Sequence, residues 1–257
     1  MSLIGRMLAE AFHGLGNTVI VAGRRQTLLD EVSAARPGIA GLRLDLDDQA
    51  SVQRAGAQLR ERFPLLNVLV ANAGISSMED MTAPGWDSSV AEAMVQTNVT
   101  GVLRQFAAFL PMLNGKDGAA VMTTTSNLAF VPRAVFPTYC ATKAFLHSYL
   151  QSLRWQLRGT NVEVIELAPP YVATELSGKY QASDPRAMPL DAFVAEVMTL
   201  LERADHPRGE VLVEQRMAQL AKPKLLIMHE FGICRSSPQR PACCSSSSAT
   251  ATRKAAS

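Results

Sequence analysis

A tyrosine and a lysine one helical turn apart are the residues of this sequence best suited to chemistry. Tyr139 and Lys143 lie in FPTYCATKAFLHSYLQSLRWQLRG, which reads as a helix. Residues at i and i+4 share one helix face, with Cβ atoms roughly 5–6 Å apart. A free tyrosine ionises near pH ~10, and a neighbouring cation favours the ionised form. A tyrosine tuned in this way can exchange a proton with an alcohol or carbonyl oxygen.

The spacing of Tyr139 and Lys143 alone is weak evidence for a function, because many helices carry a packed tyrosine and a solvated lysine at this spacing by chance. Three further features strengthen the functional interpretation. Ser126 lies thirteen positions before Tyr139, at the end of the strand-like run AAVMTTTS. Residues 72–74, Asn-Ala-Gly, close the strand-like run NVLVANAG. Asn98 lies in the helix predicted between those two runs.

With these residues in this order and spacing, the sequence resembles the short-chain dehydrogenase/reductase family in its single-domain form. The resemblance extends over about residues 4–214. Within that family, NTVIVAGRR, SNLAFVP and ELAPPYVATEL are most similar to the DltE-like branch of oxidoreductases. The resemblance implies hydride transfer between a nicotinamide cofactor and the carbonyl or alcohol carbon of a small molecule. It implies a catalytic set of Asn98, Ser126, Tyr139 and Lys143.

The resemblance also implies a role for each member of this set. Tyr139 is the acid in reduction and the base in oxidation, and Lys143 lowers the pKa of Tyr139 and holds the nicotinamide ribose. Ser126 holds the substrate oxygen and steadies the charge that develops there. The alternative for Ser126 is a small polar residue that merely ends a strand. Asn98 is expected to distort its helix and to hold a water that links the lysine to solvent.

The charge of the residues that follow the second strand of the family fold indicates which nicotinamide cofactor is bound. Arg24 and Arg25 follow TVIVAG, where that strand meets the adenosine ribose. Two guanidinium groups suit a 2′-phosphate, whereas an acidic residue would accept bonds from a free 2′-hydroxyl. NADP is therefore favoured over NAD, and a solvated basic turn is the alternative.

Further cofactor contacts follow from the resemblance alone. Small residues at 72–74 would let the cofactor approach the backbone closely. Asp45 matches an aspartate that contacts adenine, although an acid near a helix N-terminus is an alternative interpretation. Val172 and Thr174 resemble the groups that hold the nicotinamide carboxamide, and residues 175–189 resemble a mobile substrate lid. The full set of expected contacts is Gly5, Arg24, Arg25, Asp45, Leu46, Asn72, Ala73, Gly74, Tyr139, Lys143, Pro169, Val172 and Thr174.

Helical segments, among them an amphipathic first helix over residues 4–15 and a long helix over residues 84–113, alternate with short apolar runs rich in β-branched residues, among them GLRLDL and a last run, GEVLVEQ. This pattern predicts an α/β fold, a Rossmann-type doubly wound parallel sheet covered on both faces. The family's first strand and most of its glycine-rich turn are missing, and Ile4-Gly5 resemble the last residues of that turn. The two neighbours of the missing strand would each lose a hydrogen-bonding partner. We therefore expect a truncated gene model, a splice form or a shortened paralogue, and the rival function is a catalytically impaired dimerising partner.

Length and composition limit the number of domains and the classes of partner that this chain can have. A chain of 257 residues with 47% apolar and 19% charged residues predicts one globular domain, 1–220, followed by a disordered tail, 221–257. A net charge of +2 gives no argument for nucleic acid. No apolar run reaches the ~20 residues that span a bilayer, so we expect a cytoplasmic protein without membrane contact.

The sequence also gives expectations about metal binding and about the oligomeric state. His13, His147 and His206 occur singly and predict neither a metal site nor catalysis. The helices that carry Asn98 and Tyr139 form the usual dimer face of the family. The resemblance therefore implies a homodimer or homotetramer.

Overall fold

The computed structural model of the chain describes residues 3–202. Helices and strands alternate through this part, as the hydrophobic pattern predicts. The strands are β1 (Val19–Gly23), β2 (Ile39–Arg43), β3 (Val68–Ala71), β4 (Ala120–Thr124) and β5 (Glu163–Leu167). The helices are α1 (Leu3–Gly14), α2 (Gln26–Ala35), α3 (Gln49–Arg62), α4 (Ser89–Val95), α5 (Gly101–Phe109), α6 (Pro137–Leu157), α7 (Lys179–Ala182) and α8 (Leu190–Glu202).

The strands form two parallel groups. β1 pairs with β2, with Val21 opposite Gly41. β4 pairs with β3 on one side and with β5 on the other, so that Val121 lies opposite both Leu69 and Val164. Within residues 3–202, β1 and β3 therefore each have one strand neighbour. The expected gap in the sheet lies between these two strands.

The main core surrounds β4. All five residues of β4 are buried, as expected for a parallel strand covered on both faces. α3, α5 and α6 pack on one side through residues such as Val52, Phe109 and Leu150. Full burial of one such side chain stabilises the fold by about 1.5–3 kcal/mol.

A second cluster joins α1 and α8 to the central strands. Leu8 of α1 packs with Phe193 and Val197 of α8 and with Met122 and Leu167 of the sheet. The amphipathic first helix predicted from the sequence is thus part of the core.

Two boundaries differ from the predictions. β2 begins at Ile39, two residues before the predicted run GLRLDL. The helix predicted over residues 84–113 begins at Ser89 instead, because Gly85 has φ +80° and cannot continue a helix. The helix is then interrupted by a π-helical turn, Gln96–Thr100, and ends in a 3₁₀ turn, Leu110–Leu113.

Several predictions concern residues that the structure does not describe. The predicted last strand, GEVLVEQ, and the tail 221–257 both lie beyond residue 202. His206 lies there too. Of the helices between residues 3 and 202, none is both long and apolar enough to cross a membrane.

Candidate active site

The predicted catalytic residues meet at the carboxyl ends of β3 and β4. Parallel strands present their carboxyl ends at one edge of a sheet, where ligands of such folds bind. Residues 72–74 follow β3 and Ser126 follows β4. α6 then brings Tyr139 and Lys143 to the same edge.

Lys143 is buried, and it is held by the end of β4. Its Nζ donates to the carbonyl oxygen of Thr124 at 2.9 Å. A Cβ atom added at Gly74 would lie 3.4 Å from this Nζ, so the backbone of Gly74 lies close to the ammonium. Burial lowers the pKa of Lys143 to about 8.

Tyr139 is 5% exposed and packs with Met94, Phe136 and Cys140. Burial raises the pKa of Tyr139 to about 12, and a hydrogen bond with Ser126 offsets part of that rise. The expectation that Lys143 lowers the pKa of Tyr139 is therefore not met in this structure. The physical reason is that burial disfavours the phenolate, while the ammonium is bonded to the Thr124 carbonyl and lies 5.6 Å from the tyrosine ring centroid.

The start of α6 is fixed by a residue distant in sequence. Pro137 occupies the first turn, where its missing N–H costs nothing. The Glu79 carboxylate accepts from the backbone N–H of Thr138 at 3.0 Å and from its hydroxyl at 2.9 Å. A carboxylate at a helix N-terminus also interacts favourably with the helix dipole. Glu79 thereby orients the turn that carries Tyr139, a role that no local sequence pattern signals.

Asn98 is fully buried in the π-helical turn, so the expected distortion of its helix is present. Its Oδ1 accepts from the backbone N–H of Ile75 at 2.8 Å. Its Nδ2 donates to the Ile75 carbonyl at 2.9 Å and to the Thr142 hydroxyl at 3.1 Å. Asn98 therefore ties the segment after β3 to α6, the helix that carries Tyr139. The water that we expect it to hold stays a prediction.

Ser126 begins a 3₁₀ turn, Asn127–Ala129, and its Oγ accepts from the backbone N–H of Leu128 at 3.1 Å. Its hydroxyl donates to Oδ1 of Asn127 at 3.2 Å. Ser126 thus caps a local turn, and its hydroxyl also lies near enough to the Tyr139 phenol to lower the pKa of that group. The structural and functional interpretations of this residue are compatible.

The two arginines after β1 are exposed. Nη1 of Arg24 lies 3.5 Å from Oδ2 of Asp47, and both side chains are partly solvated. An exposed pair of this kind contributes about 0–1 kcal/mol, so a phosphate could displace the carboxylate at little cost. Within the described chain, Arg25 forms no ion pair. These side chains fit a 2′-phosphate.

Asp45 and Leu46 have structural partners of their own. The Asp45 carboxylate accepts from the backbone N–H of Asp47 at 3.1 Å, and Asp48 caps α3. The Leu46 side chain is buried in the main core, and its carbonyl accepts from Arg104. Leu46 therefore presents no side chain to a cofactor.

Residues 72–74 leave room beside the strand ends. The Thr124 hydroxyl donates to Oδ1 of Asn72 at 3.0 Å, which links the ends of β3 and β4. Ala73 is exposed, and Gly74 approaches Asn98 and Lys143 closely. Gly5, expected at a phosphate turn, lies in the first turn of α1.

The segment after β5 is mostly buried. The Pro169 carbonyl accepts from the backbone N–H of Asn127 at 3.0 Å, which joins this segment to the Ser126 turn. Val172 packs in the second core cluster. The Thr174 hydroxyl oxygen accepts from the backbone N–H of Leu176 at 3.4 Å. Pro169 therefore contacts the Ser126 turn, whereas Val172 and Thr174, the two predicted carboxamide-binding residues, make structural contacts elsewhere.

Residues 175–189, the expected lid, contain the short helix α7. The side chain of Gln181 is buried and donates to the Val172 carbonyl at 2.8 Å. The Tyr171 hydroxyl donates to Asp184, whose carboxylate also pairs with Arg186 at 2.7 Å. The Arg186 guanidinium holds the pKa of Asp184 well below its ordinary value. In this structure the segment is therefore anchored.

A buried cluster of polar side chains next to Ser126 was not predicted from the sequence. Glu166 of β5 is fully buried and interacts with Thr125, His147 and Arg154. The only sequence signal is a glutamate within the otherwise apolar run VIEL. Such a charge is rarely buried without partners.

Three comparisons agree with this geometry. The profile of the short-chain dehydrogenase family matches residues 1–185. The chain is 41% identical over 176 residues to an uncharacterized oxidoreductase, DltE, of Bacillus subtilis (strain 168), which covers 68% of this chain and 70% of that protein. It is 34% identical over 187 residues to serine 3-dehydrogenase of Agrobacterium fabrum (strain C58), covering 70% and 74%. Its structure matches the closed form of serine dehydrogenase complexed with NADP+ with a TM-score of 0.72 and 25% identity, covering 79% and 86%.

Proposed function

Because this chain belongs to the short-chain dehydrogenase family, we propose that it is an NADP-dependent oxidoreductase acting on a small carbonyl or alcohol compound. The observation that carries the proposal is the junction of Tyr139, Ser126 and Lys143 at the ends of β3 and β4. A proton donor, an oxygen-binding hydroxyl and a neighbouring cation are the groups that carbonyl reduction needs.

In the reducing direction, the Ser126 hydroxyl donates a hydrogen bond to the substrate carbonyl oxygen. Tyr139 gives its phenol proton to that oxygen as negative charge develops there. NADPH, when bound, would supply the hydride for the carbonyl carbon. The product is the alcohol, and the Tyr139 phenolate takes up a proton from solvent before the next turnover. Oxidation runs through the same residues in reverse.

Burial keeps Tyr139 protonated at neutral pH, so the proton is present when reduction begins, but the raised pKa also makes the phenol a weaker acid. Proton transfer therefore needs the phenolate to be stabilised. The pKa of Lys143, about 8, leaves its ammonium mostly protonated at pH 7. Lys143 thereby stabilises the phenolate that remains after proton transfer.

NADP is proposed because Arg24 and Arg25 follow β1 with accessible guanidinium groups. One structural relative, serine dehydrogenase, was solved with NADP+. One relative acts on serine by its name, so serine and other small 3-hydroxy acids are the first substrates to test.

The cofactor proposal is tested by thermal melting with NADPH or NADH. The wild-type chain is expected to be stabilised more by NADPH, because a 2′-phosphate gains charge-assisted hydrogen bonds from the arginines. The double variant Arg24→Ala/Arg25→Ala is expected to lose about tenfold or more in NADPH affinity and little in NADH affinity, since each charged hydrogen bond is worth about 1.5–3 kcal/mol.

Arg62→Ala is the matched control. Arg62 ends α3, and the 14 residues of that helix place it roughly 20 Å from the edge at which α3 begins. Equal stabilisation by NADPH and NADH, or unchanged NADPH affinity in the double variant, would contradict NADP preference.

The divided sheet favours a second candidate function, that of a catalytically impaired dimerising partner. Within residues 3–202, β1 and β3 each pair on one side, which reduces the support for the cofactor edge. The outer face of α6 carries Phe145 and Trp155, which are 40% and 53% exposed and suit a partner helix. Failure of both nucleotides to raise the melting temperature of a folded dimer would favour this candidate.

A further inference from the structure

The carboxylate of Glu166 is the centre of a buried network, defined here as Glu166, Thr125, His147 and Arg154. The side chain of Glu166 has no exposed area. Its Oε1 accepts from the Thr125 hydroxyl at 2.8 Å. Its two oxygens lie 3.1 and 3.0 Å from Nδ1 of His147, and Nη2 of Arg154 lies 3.7 Å from Oε2. The proposed reaction uses none of these four side chains.

Thr125 lies between Thr124 and Ser126, two residues of the candidate site, and links both of them to this network. The preceding residue, Thr124, provides the carbonyl that accepts from Lys143. The following residue is Ser126. The backbone N–H of Thr125 donates to the Leu167 carbonyl at 2.8 Å, so this residue is held at its backbone and at its hydroxyl. The hydroxyl bond to Glu166 fixes the turn at which the chain leaves β4.

His147 joins the network to the helix of the catalytic pair. It lies one turn after Lys143 on α6, and its ring makes an edge contact with Phe130, with centroids 4.6 Å apart. Nε2 of His147 lies 2.7 Å from Nε2 of Gln151 at the surface. The Glu166 carboxylate thus contacts the end of β4 and the middle of α6, the two elements whose separation sets the distance from Ser126 to Tyr139.

We propose that Glu166 is a positioning residue that sets Ser126 against Tyr139 through its hydrogen bond to Thr125, with His147 anchoring the same carboxylate to α6. This inference rests on the proposed function for its kinetic consequences, but its geometric consequence is independent of turnover. A shift of roughly 1 Å at a reacting group can cost as much as 10²-fold in rate. Loss of the Thr125 hydroxyl therefore acts on the catalytic step and spares cofactor binding.

The test uses Thr125→Val, which removes the hydroxyl at nearly constant shape, and Thr125→Ser, which restores it. Thr123→Val is the matched control, because Thr123 is a buried threonine two residues earlier, within β4, whose Oγ1 has no hydrogen-bond partner within the described chain. We expect Thr125→Val to lower kcat about ten- to a hundredfold while the Kd for NADPH stays within twofold. Thr125→Ser and Thr123→Val are expected to keep kcat within about threefold of wild type, a range that a retained geometry permits.

Crystal structures of the same variants give the readout that does not depend on turnover. We expect Ser126 Oγ to move away from the Tyr139 hydroxyl in Thr125→Val and to stay in place in Thr125→Ser and Thr123→Val. An unmoved Ser126 in Thr125→Val, or equal kcat losses in Thr125→Val and Thr123→Val, would overturn the proposal. If the wild-type chain turns over no substrate but Ser126 is displaced in Thr125→Val, the positioning role is supported and only the proposed function is rejected.

Discussion

The buried ammonium of Lys143 lowers the stability of the fold, and its proposed role is to stabilise the Tyr139 phenolate. Its pKa falls to about 8 because burial disfavours the charged form. A base whose pKa is lower in the folded than in the unfolded state binds fewer protons when folded. The free energy of unfolding therefore rises with pH between about 8 and the unfolded value of 10.5. Below pH 8 the destabilisation is fully present.

Lys143→Met is expected to raise the free energy of unfolding at pH 7 by about 2 kcal/mol. A shift from 10.5 to about 8 sets an upper bound of about 3 kcal/mol, and the lost bond to the Thr124 carbonyl offsets about 1 kcal/mol. The difference from wild type is expected to shrink as the pH rises towards 10. Urea unfolding at pH 7, 8, 9 and 10 measures it. Lys179→Met is the control, because Lys179 is exposed; a pH-independent difference for Lys143→Met would contradict the burial account.

Residue types, their order and the family resemblance predicted which side chains lie together at the candidate site, because Tyr139 and Lys143 share a helix face and their order relative to Ser126 is fixed along the chain. Their catalytic roles stay predictions. The sequence could not predict the direction of the Tyr139 pKa shift. That direction depends on how deeply Met94 and Phe136 bury the phenol, which only the packed structure shows. The partners of Glu166 were missed for the same reason, since they come from three separate elements.

At the scale of elements, a glycine fixes how closely α5 approaches the segment after β2. A Cβ added at Gly101 would lie 2.9 Å from the Cβ of Leu46, closer than real contacts allow. Both atoms are attached directly to the backbone, so neither can rotate away. The π-helical turn with Asn98 immediately precedes Gly101. Close packing of α5 thus supports the geometry of the candidate site.

Gly101→Ala is expected to lower the free energy of unfolding by about 1–2 kcal/mol. Overpacking costs about 1–3 kcal/mol, and the higher helix propensity of alanine returns up to about 1 kcal/mol. Gly56→Ala in α3 is the matched control, because its added Cβ would meet the Phe109 ring at an ordinary 3.5 Å. This control is expected to be neutral or stabilising in urea unfolding. Gly101→Ala as stable as Gly56→Ala would show that the approach of α5 is not close.

Helix and strand order followed from hydrophobic periodicity, whereas the interruption of the α4–α5 helix did not. Nothing in QTNVT alone distinguishes a π-helical turn from an α-helix, and only the resemblance suggested a distortion at Asn98. Capping of α6 by Glu79 was likewise unpredictable, because 59 residues separate it from Thr138. Local patterns do not contain such contacts.

At the scale of the whole described chain, two groups of parallel strands are held together by helices and side chains. Thr97 and Arg24 both contact Asp47, and Arg104 donates to the Leu46 and Asp47 carbonyls. These contacts connect the β1–β2 pair to the π-helical turn and α5. The arginines proposed to bind a 2′-phosphate and the tyrosine proposed to transfer the proton therefore belong to one connected structure.

Proton transfer by Tyr139 is tested most directly by single-turnover oxidation of NADPH with a panel of small carbonyl compounds, comparing wild type with Tyr139→Phe. This substitution removes the hydroxyl and keeps the buried ring. We predict that the wild-type chain reduces at least one compound and that Tyr139→Phe lowers the rate about 10²–10⁴-fold at unchanged NADPH affinity. Undiminished reduction by Tyr139→Phe, or no reduction of any compound by the wild-type chain, would contradict the account.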